Sequence, residues 1–180
     1  MKILEFAKDI GKLKRTKRIG WVNYNVPSSE SVAEHSFRVA MLAMVLAPSF
    51  KVNQNKAVKM ALVHDVGEAV VGDIVKQFGK KKHPDIKNIK KREEDAFIKI
   101  FSTIDGKEYI KLYKEYETMR TKEARFVKQI DRLEFMIQAQ EYEKEHRVTF
   151  PVEFYEWSSI IMKDKRLKKL LEEIESLRKK

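Results

Sequence analysis

Residues 31–48 read SVAEHSFRVAMLAMVLAP, and this stretch decides the fold class. Ser31 stands three residues before Glu34, the spacing at which a hydroxyl and a carboxylate cap each other's backbone N–H at a helix start. Val32, His35, Val39, Leu42 and Leu46 then recur at three- and four-residue steps as one apolar stripe, and Pro48 ends the helix near Ala47. The same period continues outward in both directions. Upstream, Ile3, Leu4, Phe6, Ala7, Ile10 and Leu13 predict a helix, followed by a loop from Arg15 to Pro27 rich in aromatic and polar groups. Downstream, a helix from about Asn53 carries Ala57, Met60, Ala61 and His64 along one side and breaks near Gly67 or Gly72. Pro84 and Asp85 open another helix to about Phe101. Further helices are expected over roughly 106–116 and 122–145, with Pro151 and Lys163 near the starts of the last two. No segment alternates with a period of two, so the expected fold is all-α.

The 180 residues suffice for one domain with a sizeable core, and no composition shift marks a second, so 1–180 is expected as a single helical domain. Hydrophobic residues at 43% and charged residues at 36% exclude a disordered chain. The longest apolar run, Val39 to Pro48, falls far short of the roughly 20 residues that cross a bilayer and reads as a buried helix. The start, MKILEFAKDIGKLKR, has early acidic residues and no small-residue cleavage site, which argues against a secretory signal and favours the cytoplasm. Without cysteine there is no disulfide framework and no thiolate site, leaving His, Asp and Glu as side-chain ligands; there are only four histidines. The net charge of +11 concentrates in Lys80–Lys82, Lys87–Arg92 and Lys163–Lys169, a surface that attracts anions. Aromatic residues are not interleaved with these runs, so they read as solvated faces rather than a nucleic-acid groove.

His35 sits inside an apolar stripe, where a histidine must find a partner; a hydrogen-bonded core histidine and a metal ligand both satisfy that. The balance tips at His64–Asp65, which follows Met60-Ala61-Leu62-Val63, so an imidazole and a carboxylate emerge together from the inner end of a helix. Within VHDVGEAVVGD, Glu68 and Asp73 follow directly, and Glu68 faces the way of His64 if helix continues. Asp131 lies four residues from both Val127 and Phe135, on a partly buried face. A salt bridge to Arg125, Lys128 or Arg132 is the plain alternative there. A cation is the more economical partner when two histidines and another aspartate also need one.

EHS at Glu34–Ser36, HDVGEAVVGDI at His64–Ile74 and RFVKQIDRLEFMIQAQE at Arg125–Glu141 together resemble the HD-domain superfamily of metal-dependent phosphohydrolases, and more narrowly its 5′-deoxynucleotidase branch. The resemblance is strongest over 1–145, with 146–180 as carboxyl-terminal helices. It implies one divalent cation (Mn, Co, Mg or similar) on His35, His64, Asp65 and Asp131, with Glu68 and Asp73 in catalysis and substrate contact. In some relatives a second cation is held, here implied at Glu68, Asp73 and Ile74. RIGWVNYNV at Arg18–Val26 resembles the loop that brings an arginine and a tryptophan to the nucleotide pocket, implicating Arg18 and Trp21. Read from its own chemistry, the plain alternative for Trp21 is a core anchor between the first two helices. Two departures stand out. Gly20 rather than arginine precedes Trp21, and Val75-Lys76-Gln77 stands where the family often has Thr-Pro after the GD-Ile segment.

The resemblance implies a homodimer and hydrolysis of (deoxy)nucleoside 5′-monophosphates, the cation polarising the phosphoryl group and lowering the pKa of water. Triphosphates, cyclic nucleotides and guanosine tetraphosphate are the alternative substrates within the superfamily. A basic nucleic-acid-binding helical protein with a structural metal site is the alternative of another class, although no stable nucleic-acid complex is expected.

Overall fold

The computed structural model describes residues 2–78 and 81–178; Lys80 of the basic run lies outside them. The fold is all-α. Helix α1 spans Lys2–Gly11 and passes into a 3₁₀ turn at Lys12–Lys14, so the predicted helix stops two residues early in α form. The expected loop after it contains a single helical turn, α2 (Ile19–Val22). Helix α3 (Val32–Leu46) has the predicted capping box: Glu34 N–H donates to Ser31 Oγ at 3.3 Å and Ser31 N–H to Glu34 Oε2 at 2.6 Å. Its last carbonyls continue into a 3₁₀ turn at Ala47–Phe50 that contains Pro48.

Asn53 caps α4 (Gln54–Val63), its side chain accepting from Lys56 N–H. The helix ends at His64; short turns, Val66 N–H to Val63 O and Glu68 N–H to Asp65 O, lead into α5 (Glu68–Val71). Helices α6 (Ile86–Ser102), α7 (Lys107–Thr118), α8 (Lys122–His146), α9 (Val152–Ile161) and α10 (Lys165–Arg178) follow. Between α5 and α6 lies a minimal antiparallel ladder, β1 (Gln77–Phe78) with β2 (Lys81–Lys82), too short to show as alternation in sequence.

Helix α8 is the axis. Ala124, Val127, Ile130, Leu133, Met136 and Ala139 are all buried, and α3, α4, α7, α9 and α10 pack around them. A second apolar cluster joins α5, α6 and α7, with Phe97 stacked on Phe101 and Tyr113 at 4.4 and 4.3 Å. The run Val39 to Pro48 is only half buried. Val39, Ala40, Ala43 and Ala47 face the core, whereas Phe37, Met41, Met44 and Val45 are exposed on the outer face of α3. No helix among the described residues is long and apolar enough to cross a membrane.

Gly67 fixes how closely α5 approaches α6: a Cβ there would lie 2.5 Å from the Glu93 carbonyl oxygen and 3.1 Å from its carbon. Backbone cannot swing aside as a side-chain tip can. Gly67→Ala is therefore expected to destabilise the fold by about 1–3 kcal/mol, the usual cost of overpacking, measured by urea unfolding. Stability equal to the parent would mean that the two helices separate freely.

Candidate metal centre

Helices α3 and α8 face each other with two matched pairs, each one turn apart: His35 and Arg38 on α3, Asp131 and Glu134 on α8. His35 and Glu134 are both fully buried. The Nδ1 of His35 lies 2.5 Å from Glu134 Oε2, and Arg38 Nε donates to Glu134 Oε1 at 2.8 Å. Arg38 is itself tied to Gln138 and to Glu141 at 2.5 and 2.7 Å. A carboxylate held this way accepts the Nδ1 proton of His35 and turns Nε2 inward. His64, at the end of α4, is oriented independently. Its Nδ1 is 2.7 Å from the Ala61 carbonyl oxygen, which can only accept, so Nδ1 carries the proton and Nε2 the lone pair.

Both Nε2 atoms are buried and have no hydrogen-bond partner. What surrounds them is carboxylate. His35 Nε2 lies 3.3 Å from Asp131 Oδ1 and 3.9 Å from Asp65 Oδ2, and His64 Nε2 lies 3.2 Å from the same Asp65 oxygen. Atoms bound at about 2.1 Å to neighbouring octahedral positions stand about 3 Å apart, so the 3.2 and 3.3 Å pairs have the spacing of neighbouring ligands around one small divalent cation, and the 3.9 Å pair is wider. His35, His64 and Asp131 also converge as a group able to hold a metal. Burial and Arg18 push the His35 imidazole down, yet Glu134 and Asp131 outweigh them and raise it to about 10. The cluster thus demands positive charge at this point, and a divalent cation supplies it to both imidazoles and both aspartates at once. The residues present fit such an ion.

Asp131 is prepared by its neighbours. Burial alone would raise its carboxyl, but Lys128 and His35 hold it well below the ordinary carboxylate range. Tyr116 Oη donates to its Oδ2 at 2.8 Å and Lys128 Nζ approaches at 3.2 Å, leaving Oδ1 toward the histidines. Of the three basic residues near it in sequence, only Lys128 reaches it. Arg125 donates to the Met119 and Arg120 carbonyls, and Arg132 to Ser158 Oγ and the Phe154 carbonyl.

His64, Asp65 and Asp131 line the floor of a cavity of about 740 Å³, and His35 is fully buried and does not line it. Arg18 reaches it because the strand-like segment before α2 is pinned to the start of α3: Arg18 N–H donates to Glu30 O and Val32 N–H to Thr16 O. Its Nη1 lies 3.2 Å from Asp65 Oδ2. Asp73 Oδ2 accepts the Ile19 N–H at 2.6 Å, fixing α2 at the rim, and Ile74 lines the cavity beside it. Glu68 is 2% exposed and enters from the first residue of α5, not along a continuous helix from His64. Its Oε1 is 3.3 Å from Lys76 Nζ and its Oε2 has no partner. Burial, reinforced by Asp65 and Asp73, raises its carboxyl well above the ordinary range. Glu68 and Asp73 do not join a metal-holding group among the described residues. Trp21 is fully buried in the cavity wall, stacked on Phe135 at 4.5 Å with its indole N–H given to Glu30 Oε1.

Five participants were not singled out by sequence: Arg38, Lys76, Glu93, Tyr116 and Glu134. Two of them carry a readable signal, because Arg38 and Glu134 each follow a singled-out residue by three positions on a helix.

The model of the HD domain family matches residues 10–175. The 5′-deoxynucleotidase HDDC2 of Homo sapiens is 37% identical over 183 residues, covering 98% of this chain and 86% of that protein. Its namesake in Dictyostelium discoideum is 42% identical over 154 residues, covering 79% and 78%. Among solved structures, a conserved hypothetical protein from Pyrococcus furiosus superimposes with a TM-score of 0.77 at 32% identity, over 96% of this chain and 99% of that one. With the helical architecture and the clustered His and Asp side chains already in place, these matches show that the chain belongs to the HD domain family.

Proposed function

We propose that this chain, folded as one domain, hydrolyses deoxynucleoside 5′-monophosphates to nucleoside and phosphate with a divalent cation on His35, His64, Asp65 and Asp131. The observation that carries the reading is the pair of buried, partnerless Nε2 atoms facing two aspartates at the floor of a cavity of about 740 Å³. The names of the relatives narrow it to 5′-deoxynucleotidase. A divalent cation supplies Lewis acidity toward phosphoryl oxygens and lowers the pKa of water.

The protein's own groups account for the rest. The cavity lining sets five cationic side chains against six carboxylates, so it becomes electropositive only when a divalent cation is added. A phosphomonoester dianion then enters with Arg18 beside the cluster, where its guanidinium faces the equatorial oxygens. Water oxygen forms the new bond to phosphorus as the P–O5′ bond breaks; one water proton stays on the product phosphate, the other restores the proton donor, and the departing O5′ takes a proton. Glu68, buried and held toward its protonated form, is placed to give that proton. Asp73, anchored through Oδ2, has Oδ1 for a sugar hydroxyl.

Away from the charged floor the walls are Tyr24, Phe135, Phe154, Trp157 and Ile161, a surface for a nucleobase. Trp157 is half-buried there. Trp157→Ala is expected to raise KM for nucleotides by roughly 5- to 100-fold, the worth of one stacking contact, and to leave 2-deoxyribose 5-phosphate unchanged. Equal effects on both substrates would remove the base from this wall. The exposed apolar face of α3, with Phe37 and Val45 63% and 67% exposed, supports a homodimer formed on that face.

The test of the activity is phosphate release from a panel of nucleotides, with chelator and with Mn, Co or Mg restored. Chelation is expected to abolish turnover, and 5′-monophosphates to be cleaved faster than 3′-monophosphates. Preference for triphosphates or cyclic nucleotides would reassign the substrate, and salt-sensitive duplex binding without turnover would favour the nucleic-acid reading.

A further inference from the structure

Lys76 occupies one of the positions at which the sequence departs from the family's Thr-Pro pattern, and the chemistry described above counts it only among the five cationic groups of the cavity. Its ammonium lies inside the cavity wall, 2.9 Å from Glu93 Oε2 and 3.3 Å from Glu68 Oε1. Glu93 is 5% exposed and arrives from α6. It arrives there because Gly67 lets the Glu93 backbone pass within a distance that no side chain would permit. The far oxygens, Glu68 Oε2 and Glu93 Oε1, are buried without partners. Two carboxylates this close repel each other unless a cation stands between them, and Lys76 is that cation.

The consequence is geometric. With Oε1 held by Lys76, the carboxylate of Glu68 cannot rotate freely, and Oε2 is the atom left unengaged. Lys76 makes no ion pair with the proposed metal ligands; its ion pairs go to Glu68 and Glu93, while its charge acts on Asp65 from farther away. We propose that Lys76, clamped by Glu93, is a positioning residue that fixes Glu68 for proton transfer to the substrate's leaving oxygen. This rests on the phosphomonoesterase reading above and adds a residue to it. A positioning role predicts loss of turnover with substrate binding kept, whereas direct contact with the phosphate predicts the reverse.

The experiment uses Lys76→Met, which keeps the length and removes the charge, and Lys76→Arg, which keeps the charge. Bound cation per chain, kcat and KM for a deoxynucleoside 5′-monophosphate are measured on each. Lys76→Met is expected to keep the parent's cation content and a KM within about threefold, with kcat lower by roughly 10- to 100-fold, part of the full worth of a positioned acid. Lys76→Arg is expected to recover most of that loss. A raised KM at unchanged kcat, no change in either constant, or equal losses in the two variants would overturn the proposal. Should Lys76→Met fail to fold, Glu93→Gln loosens the clamp from the other side, and an unchanged kcat in that variant counts against it equally. If the parent protein releases no phosphate from any nucleotide, the activity falls but Lys76 is still decided by crystal structures of the parent and Lys76→Met. A Glu68 carboxylate that moves in the variant supports the clamp, and one that stays in place overturns it.

Discussion

His64→Ala and Asp65→Ala are each expected to cost the protein its bound cation and its turnover together. Each removes one group from a cluster whose members lie 3.2–3.9 Å apart and depend on a common positive charge. Loss of an outer partner of a metal ligand typically weakens binding 10- to 100-fold, so loss of a ligand should weaken it by about 100-fold or more. Turnover should fall by at least roughly 10²–10³-fold, the scale on which a single electrostatic contact to the transition state is felt. Nucleotide affinity should fall as well, because without the cation the five cationic groups of the cavity face six carboxylates in His64→Ala and five in Asp65→Ala, leaving no net positive charge to attract a dianion. Metal analysis, phosphate release and nucleotide binding on the two variants read all three effects. Both side chains stand at the end of α4, where truncation removes no core hydrocarbon, so thermal unfolding should show folded protein. Full metal content with normal turnover in both variants would overturn the metal centre.

Glu68→Ala separates chemistry from binding. The side chain is buried beside the cluster, with Oε1 on Lys76 and Oε2 unpartnered, and the four proposed ligands are other residues. If it supplies the proton to O5′, the variant keeps its cation and binds nucleotide, while kcat drops by roughly 10²–10⁴-fold. KM should change far less, since an interaction made mainly in the transition state lowers kcat without a matching loss of binding. Glu68→Gln keeps the shape and should be almost as slow, which sets proton donation apart from packing. A ligand for a second cation would behave differently: one metal equivalent would disappear, and activity would return at high metal concentration. An unchanged kcat would take Glu68 out of the mechanism.

How far these features could be read from sequence depends on how local their causes are. The all-α class follows from short-range periodicity, and the start of α3 from two side chains three residues apart, Ser31 and Glu34, that satisfy each other's backbone. Sequence alone also picked out His35, His64, Asp65 and Asp131, because an imidazole or carboxylate inside an apolar pattern carries a desolvation cost that some partner must offset. Which partner could not be read. His35 and Glu134 are 99 residues apart, and only the packing of α3 on α8 sets Nδ1 against that carboxylate and turns Nε2 toward the aspartates. Glu68 was placed on the face of His64 by assuming a continuous helix. The chain instead turns between Val63 and Glu68, and Gly67 against the Glu93 backbone brings Glu68 into the cavity. Met41, Met44 and Val45 belong to a run that reads as buried, yet α3 has the core on one side only, which no apolar count along the chain reveals. Lys76 shows the limit most plainly. In sequence it is only part of a departure from the family's Thr-Pro pattern, and only the meeting of α5 with α6 puts it between two buried carboxylates. Periodicity and capping are decided within one or two helical turns, so sequence by itself determined them; the partners of buried charges are decided by which helices meet, and that was settled only by the tertiary structure.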